Sequence, residues 1–168
     1  MIDSPSVENS LRSGRPNACN LCHLDRSLSW TGRYLQEWYK IPTGSMTADE
    51  ASISAAVLGL LKGDAGERAI VAWHMGWAPA LRASGTDWEA PYLAQLLDDR
   101  YAAVRYLAHR SLLRLEGYRG FQFDNVGPAA DRGARWPEIL LKPDGNPMRG
   151  EIERLLLERD DHPVVLLE

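Results

Sequence analysis

Leu93-Ala94-Gln95-Leu96-Leu97-Asp98-Asp99-Arg100-Tyr101-Ala102-Ala103-Val104-Arg105-Tyr106-Leu107-Ala108-His109-Arg110-Ser111-Leu112-Leu113-Arg114-Leu115 is the stretch that settles the fold class. Val104, Leu107, Ala108, Ser111, Leu112 and Leu115 recur at the three- and four-residue intervals that lay side chains along one face of an α-helix. Gly117 follows as a stop. Arg105, Arg110 and Arg114 fall off that stripe and are expected on a solvated face or beside nearby acids. Upstream, Leu93, Leu96 and Leu97 form the apolar face of a second helix. Pro91 is tolerated there because the first helical turn needs no intrahelical donor from it. Thr86 with Glu89 supplies the capping pair for this helix, and Asp98-Asp99 reads as the turn between the two.

The same design stands earlier in the chain. Thr47 with Glu50 forms a capping box opening a helix with Ile53, Ala56, Val57, Leu60 and Leu61 on one stripe. Gly63-Asp64 turns the chain, and Asp64 with Glu67 starts a partner helix carrying Ala69, Ala72, Trp73 and Gly76. Ala78-Pro79 and Ser84-Gly85 break it. Leu60-Leu61 matches Leu96-Leu97 and Ala72 matches Ala108, both at an offset of 36 residues. Helix–turn–helix units at that period are the mark of an α-solenoid, and two of them need other elements as caps. Leu96-Leu97-Asp98-Asp99, followed by Val104-Arg105 and Ala108, resembles the turn and second helix of a HEAT repeat. The expected fold is therefore mainly α. It comprises an attachment segment and aromatic helix over residues 1–42, helical-hairpin repeats over 46–117, and an extended wrap with a capping helix over 118–168.

Cys19-Asn20-Leu21-Cys22-His23 carries the chemistry. C-x-x-C-H is the attachment signal of a c-type haem: two thiols at this spacing each add across one vinyl group, and the histidine supplies an axial nitrogen. Both cysteines of the 168-residue chain lie here. The competing readings are a redox C-x-x-C pair, half of a zinc site, and an accidental match. A redox pair belongs at a helix N-terminus after a strand, and nothing before Cys19 reads as a strand. Structural zinc wants four ligands, and the chain has no second cysteine pair, so Cys19, Cys22 and His23 would need a distant histidine. The sequence thus nominates Cys19, Cys22 and His23 as cofactor-binding residues for a covalent haem, with His23 as the metal ligand. Candidates for a sixth ligand within the chain are His74, Met75, His109 and His162. Each is more simply structural, so a ligand from outside the chain is expected first, and a water or an open position second.

The bulk numbers narrow the function classes. The formal net charge is −4 with no polybasic run, which argues against a nucleic-acid or anionic-membrane partner. The apolar runs are too short to span a bilayer. No nucleophile elbow, P-loop or H-E-x-x-H motif is present, and Asp98-Asp99 and Asp160-Asp161 read as turn and cap residues. No catalytic residue is nominated. Residues 1–18 read as an irregular lead-in, without the basic and apolar regions of a signal peptide. Leu28, Trp30, Tyr34, Leu35, Trp38 and Tyr39 fall near helical spacing over Ser29–Lys40; they are expected chiefly in the core, or as a wall beside a haem. From Tyr118 to Pro147, Gly and Pro punctuate an extended segment in which Phe121, Phe123, Trp136 and Ile139-Leu140-Leu141 pack over the helices. A last helix carries Met148, Ile152, Leu155 and Leu156, and Val164-Val165-Leu166-Leu167 is a short apolar tail.

A family resemblance covers nearly the whole chain. Ile2-Asp3-Ser4-Pro5-Ser6-Val7, then Arg15-Pro16-Asn17-Ala18 running through the C-x-x-C-H motif to Leu24-Asp25, resembles the last haem segment of large bacterial multihaem c-type cytochromes. These are similar to the cytochrome c554 group and carry HEAT-like repeats at their C-termini. The likeness continues through Trp30-Thr31, Gly63-Asp64, Ala72-Trp73, Gly76-Trp77-Ala78-Pro79, Asp98-Asp99 and Arg159-Asp160-Asp161 with Pro163. The haem motif is its specific part. The resemblance implies electron transfer through one covalent haem, a redox partner protein or upstream haem domains, and a periplasmic or otherwise extracytoplasmic location. It also implies that the chain is the downstream part of a longer exported protein. The alternative from another class is a haem-free helical-repeat interaction scaffold with reduced thiols.

Overall fold

Helix-forming periodicity and side-chain caps account for most of what the computed structural model contains; it describes residues 5–128 and 148–163. Among the described residues the chain is mainly helical and has no strand. The helices are α1 (Val7–Ser13), α2 (Leu28–Tyr39), α3 (Ala48–Ser52), α4 (Ala55–Leu61), α5 (Ala65–His74), α6 (Ala78–Ser84), α7 (Ala90–Gln95), α8 (Ala102–Leu112) and α9 (Met148–Leu157), with a 3-10 turn at Leu96–Asp98 after α7. Helix α4 packs on α5 and α7 on α8, while α4 also lies against α7 and α5 against α8. Leu60, Leu61, Val71, Ala72, Leu93, Leu96, Leu97, Ala108 and Leu112 form the centre of the main apolar core among the described residues. Helix α9 lays Ile152 and Leu155 into that core and closes it beside α4. No described helix is long and apolar enough to cross a membrane.

The caps behave as their chemistry dictates at two of the three expected places. Thr47 and Glu50 form a reciprocal capping box on α3, and Asp64 accepts from the Glu67 N–H at 2.8 Å to open α5. The third fails. The Thr86 hydroxyl donates to its neighbour Asp87 rather than accepting a helical N–H, α7 starts at Ala90, and Glu89 turns inward.

Other expectations are corrected. The lead-in contains α1, capped by the Ser6 hydroxyl on the Asn9 N–H and ended by Gly14 in the left-handed region at φ 61°. Seven residues with one buried anchor, Val7, are too few to show a period. The helix expected to run from Thr47 to Leu61 breaks at Ile53-Ser54. Ser54 caps α4 through the Val57 N–H and donates its own proton to the Leu24 carbonyl, while the Ala55 N–H donates to the Arg26 carbonyl. Backbone bonds that would have continued the helix go to the loop after the C-x-x-C-H motif instead. Ala78-Pro79 starts α6 rather than ending a segment, with Pro79 in the first turn.

Asp99, expected in a turn, and Arg105, expected on a solvated face or beside nearby acids, are buried, as is Arg68. Arg68 and Asp99 meet at 2.7 Å with 1% and 0% of their side chains exposed. Arg68 also donates to the Gly63 and Asp160 carbonyls. One hairpin later Arg105 repeats the device, donating to the Asp99 and Arg100 carbonyls and to Asn125 O. Each buried arginine satisfies carbonyls in the turn preceding its own helix, where no helical N–H can reach. Arg110 and Arg114 are exposed as expected. Beyond α8, residues 121–127 alternate inward and outward, and Phe121 and Phe123 flank His109. The expected packing of Trp136 and of residues 139–141, and the tail at 164–167, lie outside the described residues.

Candidate functional site

The Cys19–His23 stretch is a helical turn held from beneath. The Leu21 N–H donates to Asn17 O at 3.1 Å, and the Cys22 and His23 N–H groups both reach Cys19 O, at 3.2 and 2.8 Å. Asn17 and Asn20 are buried. The Asn17 carbonyl oxygen accepts from the Cys19 N–H at 3.0 Å while its amide donates to Ser6 O. Asn20 donates to Arg26 O and accepts from the Thr31 hydroxyl at 2.7 Å, tying the turn to α2. Ser84, at the end of α6, donates to Cys22 O at 3.0 Å and accepts from the Leu24 N–H at 2.8 Å. That one hydroxyl therefore holds the backbone on both sides of His23. Leu24 is fully buried beneath the turn. These bonds from Asn17, Asn20 and Ser84 favour a single conformation of the short motif.

What the turn presents outward is chemically uniform: two free thiols, half-buried, and the half-buried His23 ring. Burial, and then the neighbouring Cys22, push the Cys19 thiol above its ordinary value. That opposes the redox-pair reading, since a reactive C-x-x-C cysteine has its thiol pulled down by a helix N-terminus or a cation. Among the described residues no three His, Cys, Asp or Glu side chains converge into a metal-binding group, so the zinc reading lacks a donor set there.

The four histidines are not equivalent. His74 has Nδ1 2.8 Å from Ile70 O, His109 has Nε2 3.0 Å from Phe121 O, and His162 has Nδ1 2.7 Å from Asp160 Oδ1. His23 makes no hydrogen bond through either ring nitrogen to the described residues; its contact is with the Trp30 ring, centroids 4.9 Å apart. Met75 is fully buried. The donors present fit a c-type haem: Cys19 and Cys22 for the two thioethers and His23 for one axial bond. The four candidate sixth ligands are each occupied or enclosed elsewhere.

Trp30 continues into a row. Trp30, Tyr34 and Trp38 sit at intervals of four on α2 with ring centroids 4.9 and 4.8 Å apart, and Tyr39 follows at 6.4 Å. This corrects the expectation that they are core. The buried face of α2 is Leu28, Thr31, Gly32 and Leu35. A side chain at Gly32 would collide with Thr43, so that face admits only small groups at its centre. Trp30, Tyr34 and Trp38 lie off that face, with Trp38 62% exposed; Tyr39, four residues after Leu35, continues the buried stripe past its end and is 68% exposed. Asn17, Asn20, Ser54 and Ser84 were not nominated by the sequence. Only Asn17 carried a local signal, the Asx turn two residues before Cys19. Comparison of the chain with family models, curated proteins and solved structures gave no match.

Proposed function

We propose that this chain is an electron-transfer segment of a c-type cytochrome, holding one covalent haem through Cys19 and Cys22 with His23 as an axial ligand. The observation that carries the reading is the pairing of His23, whose ring nitrogens have no hydrogen bond to the described residues, with two free thiols on one turn tied down by Asn17, Asn20 and Ser84. When bound, the iron supplies a reversible one-electron change. The protein's part is to fix the imidazole and both thiols on a rigid turn. The hairpins α4–α5 and α7–α8 act as two HEAT-like units, supported by the repeated buried arginine, and dock a redox partner or upstream haem domains. The location is extracytoplasmic, where thioether attachment takes place.

A second reading, a haem-free interaction scaffold, draws on Ile70, Trp73 and Tyr106, exposed large apolar groups on the adjacent helices α5 and α8. One experiment separates the two. Expression with a cytochrome c maturation system is expected to give a sharp α band that survives acid–acetone extraction. Colourless protein with two titratable thiols leaves the scaffold reading.

A further inference from the structure

We propose that the outward face of α2, Trp30, Tyr34 and Trp38 with Arg33 beside them, is the wall against which the haem macrocycle lies. In this arrangement Trp30 sets the plane of the His23 imidazole and Arg33 faces the macrocycle's carboxylates. The proposal rests on the haem reading above.

Three large aromatics along one side of a twelve-residue helix, half-buried at Trp30 and Tyr34 and mostly exposed at Trp38, form an apolar strip that the packing of α2 on its other side does not use. The strip begins at the C-x-x-C-H motif itself, because its first ring contact is His23 to Trp30. An imidazole binds iron through a nitrogen in its own ring plane and stands roughly upright on the macrocycle. A group packed against the side of that imidazole therefore lies under the same macrocycle face. Trp30 occupies that position, and Tyr34 and Trp38 extend it in unbroken ring contact. A ligand tethered by two thioethers at Cys19 and Cys22 has a very high effective concentration at any apolar surface beside its anchor. This tether is the reason to assign the strip to the macrocycle rather than to another molecule.

Charge agrees with that occupant. Two arginines flank the row. Arg26 is already paired with Asp25 at 3.0 Å. Arg33 is exposed, its guanidinium lies 4.9 Å from the Tyr34 ring centroid, and it has no ion pair to the described residues. A flat apolar ring with anionic groups on its rim satisfies both the aromatic surface and this unpaired cation.

The test uses the full chain matured with haem, together with Trp30→Leu, Tyr34→Leu, Trp38→Leu and Arg33→Gln; Trp73→Leu, at an exposed tryptophan on α5, is the control. All are expected to retain covalent haem and the far-UV signal. Trp30→Leu and Tyr34→Leu are expected to change the Soret circular dichroism and the ferric electron paramagnetic resonance g values. Trp38→Leu should weaken the Soret dichroism. Arg33→Gln should shift the midpoint potential downward, because a cation beside the cofactor favours the reduced state. Trp73→Leu should leave all these signals unchanged. Arg33 and Trp38 are exposed, so their variants report even if a change at Trp30 disturbs the turn. Covalent haem with wild-type spectra and potential in all the α2 variants would overturn this proposal and spare the haem reading. A wild-type chain without covalent haem would overturn both.

Discussion

Glu89 should make this protein less stable as pH rises through neutrality, and Glu89→Gln should abolish most of that loss. The Glu89 side chain is 0% exposed, and neither carboxylate oxygen has a hydrogen-bond partner among the described residues. A charge there has neither water nor a donor to stabilise it, so burial raises the carboxyl to about 8 from an ordinary 4.5. Between those values the folded chain keeps a proton that the unfolded chain has released. The folded-state advantage is thus complete below about pH 4.5 and is lost as pH rises through 8. At about 1.4 kcal/mol per pH unit, that gap corresponds to ~5 kcal/mol of stability. Glutamine keeps the shape and the neutral state at every pH. Urea unfolding followed by far-UV circular dichroism at pH 5 and pH 8 reads the difference. With m of about 2 kcal/mol/M, the wild-type midpoint should fall below that of Glu89→Gln by roughly 2 M at pH 8 and nearly coincide with it at pH 5. Glu67, raised to about 7 by burial and by Asp64, adds a shallower loss common to both proteins. Parallel curves for the two proteins from pH 5 to 8 would refute the reasoning.

Three further outcomes test the supports of the site and the core. Ser84→Ala removes the hydroxyl that bridges Cys22 O and the buried Leu24 N–H; an orphaned buried donor costs about 1–3 kcal/mol, so amide exchange at Leu24 and alkylation of Cys22 should both accelerate while global unfolding changes less. Asp99→Ala strands Arg68 and the Tyr101 N–H; breaking one side of a dry ion pair should destabilise by about 3–5 kcal/mol, read as a lower urea midpoint, and a loss below about 0.5 kcal/mol would mean that water reaches the pair. Gly76→Ala places a methyl group 3.0 Å from Ser111 Cα and closer still to its hydroxyl, so α5 and α8 must separate; overpacking of about 1–3 kcal/mol should appear as a lower melting temperature, whereas unchanged melting would show that α8 can yield.

Local chemistry was enough for much of the architecture. The period running through Val104, Leu107, Ala108, Ser111 and Leu112, the Thr47–Glu50 and Asp64–Glu67 caps and the stripe Ile152, Leu155 each depend on residues within one or two turns, so they could be read directly; the stop expected at Gly117 comes earlier, with Leu113 capping α8. The Cys19–His23 turn is legible for the same reason, since its spacing alone places two cysteines and a histidine on one turn. Less legible were features where two local solutions compete. Helix α2 offers one face of Leu28, Thr31, Gly32 and Leu35 and another of Trp30, Tyr34 and Trp38. Hydrophobicity favoured the aromatics, but close approach to Val7 and Thr43 favoured the small residues.

The amino-acid sequence by itself determined that the chain is mainly helical and where α2, α3, α5 and α9 begin, and it nominated three residues as candidates to anchor a haem. Tertiary structure decided how those residues are held and what surrounds them. Ser54 and Ser84 reach the motif loop from 30 and 62 positions away along the chain, and Arg68 finds Asp99 across the hairpins. A buried polar group takes whichever partner the packing brings within reach, and that partner is set by how whole helices dock rather than by neighbours along the chain.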